Sequence, residues 1–282
     1  MVPHKPQNTA ASNGPQTAPA EVTSRDEAGR WLRRTDTLVR EEPLEIRVRG
    51  QSMAVTMRTP GHDRELAAGF LLTEGIIRNP ADIVEVAPCL ESDQPDNTLN
   101  VFLAPSVAVD FERLTRHVFA SSSCGVCGKA SIDAVQQEFP PVTSTMTISA
   151  DLLATMPERL RAAQPTFAQT GGLHAAAIFD ERGELLILRE DVGRHNAVDK
   201  VIGHGLFAGR LPYDAHVLLV SGRASFEIMQ KALAARIPIV AAISAPSSLA
   251  VEFAVESGQT LVGFLRGQKM NVYSGASRIL GT

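Results

Sequence analysis

The chain has 282 residues, 44% of them hydrophobic and 5% aromatic, with a net charge of -4 and a pI near 6.0. That length buries one large core or two modest ones. The mild acidity gives no electrostatic case for nucleic acid or an anionic membrane surface, and so few aromatic rings leave little platform for stacking bases.

Residues 1 to 28 carry Pro3, Pro6, Pro15 and Pro19 among small polar residues, with no apolar segment of the kind a secretory signal needs. This stretch is expected to be a disordered tail. The strongest apolar runs, such as Ile237 to Ile243, fall far short of the roughly 18 to 20 residues that cross a bilayer. Together with only three cysteines, this points to a cytoplasmic protein with free thiols.

Past the tail, Leu44, Ile46 and Val48, then Met53, Val55 and Met57, alternate with polar residues on either side of Gly50 and Gln51, which predicts a β-hairpin. From His62 to Glu74, Leu66, Ala67, Phe70 and Leu71 share one helical face; Gly75 is the stop, and Gly69 within that face predicts close packing. Asn79 and Pro80 read as a capped turn, followed by strands over Ile83 to Ala87 and Leu99 to Leu103. Residues 29 to 118 thus form a small α+β domain.

The remainder, 119 to 282, opens on S-S-S-C-G-V-C-G-K at Ser121 to Lys129. A thiol reacts as thiolate, and its pKa falls near a helix start, a cation or a C-x-x-C partner. Cys124 and Cys127 precede a helix-like run at Ala130 to Gln137, with Lys129 adjacent, so the stretch reads as an exposed, sulfur-reactive loop. Structural zinc would need two further ligands, which Cys89, His117 and His174 supply only by coincidence of folding; a thioredoxin-like dithiol and a structural disulfide fit less well. No metal site is expected.

A helix is predicted from Ser149 to about Gln164, then a hairpin over Ala175 to Phe179 and Glu184 to Glu190. The polar stretch Arg189 to Lys200 places Asp191, Arg194, His195 and Asn196 at a strand-to-helix turn, where such groups either bind ligand or cap the helix. The last third reads β-α-β-α-β: strand His216 to Val220, turn S-G-R-A-S, helix to Ala235; strand Ile237 to Ala242, turn S-A-P-S-S, helix to Glu256; strand Thr260 to Leu265. Strands apolar on both faces predict a parallel sheet covered by helices on each side. Ser221, Arg223 and Ser244 lie on one sheet edge beside helix N-termini, where anions bind, but neither turn is a dinucleotide or ATP-loop motif.

Several separated stretches agree on one family. S-S-C-G-V-C-G-K at Ser122 to Lys129, E-L-A-A-G-F-L-L-T-E-G-I-I at Glu65 to Ile77, T-G-G-L-H-A-A at Thr170 to Ala176, R-E-D-V-G-R-H-N-A-V-D-K at Arg189 to Lys200, S-G-R-A-S-F-E at Ser221 to Glu227, and G-F-L-R-G-Q-K-M-N-V-Y at Gly263 to Tyr273 closely resemble the formate dehydrogenase accessory sulfurtransferase (FdhD) family. The resemblance implies an α/β fold with a cytidine-deaminase-like C-terminal domain and a smaller N-terminal α+β domain, in a homodimer. It implies a cytoplasmic sulfurtransferase that takes sulfane sulfur from a cysteine desulfurase as a persulfide and passes it to a bis-molybdopterin guanine dinucleotide molybdenum cofactor, bound as substrate, before that cofactor enters formate dehydrogenase. By position, Cys124 matches the persulfide cysteine, Cys127 its partner, and Phe264, Leu265, Arg266, Gly267, Gln268 and Lys269 the cofactor-binding segment; Lys269 stands where basic residues are usual, while Gln268 is neutral in a stretch that is often more basic.

Two rivals remain. Zinc deamination would require an H-x-E or C-x-E triplet together with P-C-x-x-C; the chain has no H-x-E, its C-x-E is Cys89-Leu90-Glu91 in the small domain, and Cys124-Gly125-Val126-Cys127 follows Ser, not Pro. A chaperone that only binds and delivers the cofactor would need the nucleotide-binding edge but no reactive thiol, and the paired cysteines favour chemistry.

Overall fold

The computed structural model describes residues 15–111 and 139–281. The chain begins with β1 (Thr17–Arg25) and β2 (Trp31–Val39), paired antiparallel from Thr17 against Val39 to Arg25 against Trp31. This overturns the expectation of a tail through residue 28. Pro15 and Pro19 suggested disorder, but a two-stranded ribbon has only edges, so a proline that donates no hydrogen bond is tolerated there.

The expected hairpin is β3 (Glu42–Val48) with β4 (Gln51–Arg58). It joins β5 (Ile83–Pro88) and β6 (Thr98–Leu103) in a four-stranded sheet of order β4-β3-β6-β5. Leu44, Ile46 and Val48 alternate inward and are fully enclosed. Helix α1 (Asp63–Thr73) leads away from this sheet, and Asn79 caps the short turn at Pro80–Asp82 as its sequence required.

After β7 (Ile148–Ser149), helices α2 (Ala150–Ala162) and α3 (Pro165–Thr170) precede the main sheet. Its strands are β8 (His174–Asp180), β9 (Leu185–Asp191), β10 (His216–Val220), β11 (Ile239–Ala242), β12 (Thr260–Arg266) and β13 (Lys269–Ser274), in the order β13-β12-β11-β10-β8-β9. Strands β10, β11 and β12 are parallel, as their crossover helices α5 (Phe226–Ala234) and α6 (Ser248–Glu256) demand. Helix α4 (Arg194–Phe207) follows β9, and β14 (Ile279–Leu280) returns to pair with β7.

Alternation along the central strands feeds two cores. Ala176, Ile178, Leu218, Val220, Val240 and Ala242 face α1, α4, α5 and α6. Ala177, Phe179, Val217, Leu219, Ile239 and Ala241 face α2. The first core continues into the four-stranded sheet through Leu44, Leu66 and Leu71.

The joint between the two sheets is the crossing of α1 on α4. A Cβ built on Gly69 would stand 1.9 Å from the backbone oxygen of Asp199, and one on Gly203 would stand 1.9 Å from that of Glu65. Both positions therefore require glycine, as the sequence predicted for Gly69. This contact presses two helical backbones together and brings the ionic side chains of α1 against those of α4.

Candidate functional site: the strand-end edge of the main sheet

The carboxyl ends of β10, β11 and β12 open into three segments that are tied to one another. Ala224 bridges Pro246, and the Ser247 amide donates to the Ala224 carbonyl at 3.0 Å. The Phe264 amide donates to the Ser244 carbonyl at 3.1 Å, and Arg266 Nε to that of Ile243 at 3.1 Å. A Cβ on Gly263 would come within 2.8 Å of the Pro246 ring, so glycine permits this approach. Ser221–Ser225, Ser244–Ser248 and Phe264–Lys269 form one continuous edge.

On that edge Arg223, Phe264, Arg266, Gly267, Gln268 and Lys269 are exposed, whereas Leu265 is buried and anchors β12. Gly267 and Gln268 form the loop of a hairpin, since Arg266 pairs with Lys269 and the chain returns as β13, which the sequence did not suggest. Phe264 adopts a positive φ of 53°, an uncommon state for an aromatic residue that turns its ring outward at 41% exposure. Below it, between the edge and α2, lies a recess of about 430 Å³ lined by Pro157, Arg161, Ala162, Ile243, Leu265 and Arg266 among others.

The polar turn after β9 meets the same edge from the other side. Gly222 sits where a Cβ would be 3.3 Å from His174 Nδ1 and 3.6 Å from Arg194 Cβ, so its lack of a side chain lets both residues close on the end of β10. Ser221 is committed to the fold, its hydroxyl accepting the Ala175 amide at 2.9 Å. His174 has its pKa lowered by burial and then by Arg194. The buried Arg194 Nε has no hydrogen-bond partner among the described residues.

Asp191 belongs elsewhere. It is fully enclosed, pairs with Lys200 at 2.6 Å, and accepts from the amides of Gly193 at 2.7 Å and Thr59 at 3.2 Å and from Asn196 Nδ2 at 3.0 Å. Its oxygens are used in holding the turn to the end of β4 and in pairing with Lys200, so it does not face a ligand. Arg189 is likewise spent on Glu65, in a two-pronged pair at 2.6 and 2.8 Å. Burial alone would raise the Glu65 pKa, but the hydrogen bonds from Arg189 and His204 bring it down to about 2.

His195 does reach the edge: its Nε2 lies 3.1 Å from Ser225 Oγ and its Nδ1 lies 3.3 Å from Glu227. Glu227 was missed in the sequence because an acidic residue in a first helical turn is explained by the helix dipole alone. Behind it, Lys231 is enclosed with Asp199 at 2.9 Å and Thr73 at 3.1 Å. Burial opposes the ammonium, but Asp199, Glu227 and Glu74 raise its pKa and hold it charged. Cys124, Cys127, Lys129 and His117 lie outside the described residues. Cys89 is buried against the Arg47 guanidinium at 3.7 Å, and among the described residues no group of three His, Cys, Asp or Glu is placed to hold a metal ion. No helix among them is long and apolar enough to cross a membrane.

Residues 39–280 match the sequence profile of the FdhD/NarQ family. The chain is 54% identical over 257 residues to a protein named sulfur carrier protein FdhD from Streptomyces avermitilis, covering 87% of this chain and 90% of that one. It is 54% identical over 261 residues to the protein of that name from Mycobacterium tuberculosis, covering 89% and 95%. Among solved structures it is similar to a candidate formate dehydrogenase accessory protein from Desulfotalea psychrophila, with a TM-score of 0.75 and 25% identity over 94% of this chain and 100% of that one.

Proposed function

The chain belongs to the FdhD/NarQ family, and from that premise we propose that it is a sulfur carrier serving formate dehydrogenase, working in the cytoplasm as a homodimer. The observation that carries this reading is the 54% identity, over nearly the whole length, to proteins named for that role. The main sheet is then read as a cytidine-deaminase-like domain whose strand ends have been turned over to a nucleotide-bearing cargo.

In this reading the Cys124 thiolate attacks the outer sulfur of a cysteine desulfurase persulfide. A new S–S bond forms, and the desulfurase cysteine leaves as thiolate. The persulfide on Cys124, more acidic than a thiol, is charged at neutral pH; its outer sulfur passes to an electron pair of the bis-molybdopterin guanine dinucleotide molybdenum cofactor, the substrate, as the S–S bond breaks and Cys124 leaves as thiolate. Cys127 supports the persulfide. The phosphates and guanines of the cargo lie along Ser221–Ser225, Ser244–Ser248 and Phe264–Lys269, where α5 and α6 offer N-terminal amides and where Arg223, Arg266 and Lys269 add exposed positive charge. Arg194 and His195 close the side nearest the β9 turn.

Intact-mass measurement after incubation with a cysteine desulfurase and L-cysteine tests the chemistry. A cyanide-labile gain of one sulfur is expected, absent in Cys124→Ser, which should also fail to support formate dehydrogenase; an active Ser variant would refute the assignment. Calorimetry with GDP tests the edge. Affinity should fall several-fold in Arg223→Ala and in Lys269→Ala, and unchanged binding in both places the cargo elsewhere.

A further inference from the structure

The turns that open α5 and α6 are built alike, yet their serines behave differently. Ser247 and Ser225 both occupy the N-cap position with extended backbone, at φ −86°, ψ 159° and φ −97°, ψ 168°. Ser247 does what such a serine ordinarily does, accepting the Ala250 amide at 3.2 Å. Ser225 makes no side-chain cap; its hydroxyl lies against His195 Nε2 at 3.1 Å. On the far side of the ring, Glu227 Oε2 stands 3.3 Å from Nδ1. The carboxylate favours the tautomer with its proton on Nδ1, leaving the Nε2 lone pair for the Ser225 proton. Glu227 is itself held by Lys231 at 3.7 Å, which Asp199 and Thr73 fix in the core.

We propose that Ser225 is a nucleophile in its own right, with His195 as its base, directed at the phosphorus of a phosphate ester bound on the strand-end edge. The assignment is independent of the sulfur-carrier reading and involves neither cysteine. As Ser225 Oγ bonds to phosphorus, its proton passes to His195 Nε2. The P–O bond to the leaving alcohol breaks, and the departing oxygen takes the proton back from Nε2, leaving a serine phosphoester and a free alcohol. The phosphorus class follows from the surroundings: the guanidinium of Arg194, with its Nε unpartnered among the described residues, and the exposed Arg223 flank His174 and Gly222 beside the same turn. Burial holds the His195 pKa down to about 4; Glu227 opposes this, and Arg194, Lys231 and His174 assist it, so the ring is neutral at physiological pH and takes the Ser225 proton only as the Oγ–P bond forms.

The full chain treated with diisopropyl fluorophosphate reports the nucleophile directly, since Ser225 displaces fluoride and the adduct is mapped by mass. One adduct is expected at Ser225 in wild type and in Cys124→Ser alike. None should form there in Ser225→Ala, a variant that removes no helix cap. A general base contributes about 10²- to 10⁴-fold, so labelling should slow at least about 100-fold in His195→Gln, and the wild-type rate should rise with deprotonation of His195 and level off by neutral pH. Bis(4-nitrophenyl) phosphate should release 4-nitrophenolate with phosphoester appearing at Ser225, more slowly in Arg223→Ala. Absence of a Ser225 adduct, or equal labelling rates in wild type and His195→Gln, would overturn the proposal and leave the hydroxyl as a structural tether.

Discussion

At the end of β9, Arg189, Glu190 and Asp191 retain only 8%, 7% and 0% of their exposure, and their charges are spent on partners within the chain. At the ends of β10 and β12, Arg223, Arg266 and Lys269 stand in solvent. Both regions are short and charged, and both lie at the end of a strand of one sheet. The difference lies in what packs over them. The β9 turn is roofed by α1 and the end of β4, so each charge there must find a partner or be lost. The β10 and β12 ends have no such roof among the described residues and keep their cations available. Charge density in a motif therefore marks two unlike things, a sealed ionic joint and an open edge of exposed cations, and stability measurements separate them.

The sharpest separation comes from Asp191→Ala. It would leave Lys200, itself fully buried, with only the Thr59 carbonyl at 2.9 Å. Breaking such a pair costs about 3 to 5 kcal/mol, to be read from urea unfolding. A loss under about 1 kcal/mol would move Asp191 into the open class, where surface changes fall within about 0.5 kcal/mol.

The joint also depends on the backbone contact beneath it. Gly69→Ala would place a methyl 1.9 Å from the Asp199 carbonyl oxygen, which a helix cannot yield without moving away. Overpacking of this kind costs about 1 to 3 kcal/mol or more. Because the shift would separate Thr73 from Asp199, now 2.9 Å apart, amide exchange should accelerate in both α1 and α4. Protection unchanged in α4 would show that the crossing is not the joint.

How far the sequence could be read follows the same division. Period and punctuation announced β3, β4, α1, β8 and the alternating β10-α5-β11-α6-β12 run, because each element satisfies its own local rule. Gly69 announced its contact because glycine within an apolar helical face has few other uses. Three things were not legible. The β1–β2 ribbon rests on pairing between two polar segments that carry no strong alternation. The β13 strand depends on a return at Gly267 that resembled a loop. The partners of Asp191 are Lys200, nine residues on, and the Thr59 amide, 132 residues back; no local pattern records which charges a fold will roof over. His195 was legible as a polar turn residue, but its link to Ser225 and Glu227 exists only once α4 and α5 lie side by side.

Acid sharpens the comparison next, because His62, Glu65 and His195, each with a lowered pKa, lie in the joint or between it and the edge. Burial, then Arg189, holds the His62 pKa at about 4 against the ordinary imidazole value of 6.5, and burial holds His195 at about 4 likewise. The unfolded chain therefore takes up protons first. Stability from these two rings is complete above about 6.5 and declines as pH falls toward about 4. Glu65 then contributes a second decline, from the ordinary glutamate value of 4.5 down through about 2. The melting temperature should fall in those two windows. His62→Asn, which tolerates the left-handed φ of 60° at that position, should flatten the upper one; an unflattened profile would assign that window to other groups.

The smallest effects belong to the open edge and are the most telling there. Arg223→Ala and Lys269→Ala remove exposed cations with no ion-pair partner among the described residues, so unfolding free energy should change by less than about 0.5 kcal/mol. Arg266→Ala differs from both, because Arg266 Nε donates to the Ile243 carbonyl at 3.1 Å and so ties the β12 end to the β11 turn. One exposed hydrogen bond of this kind is worth about 0.5 to 1 kcal/mol, and its loss should loosen the Ser244–Ser248 segment, seen as faster exchange at the Phe264 amide that donates to Ser244. Arg266→Lys would keep the charge but not the planar donor. Stability following the alanine variant while GDP affinity follows wild type would show that Arg266 serves both classes at once, holding the edge together through Nε while the rest of its guanidinium faces the ligand.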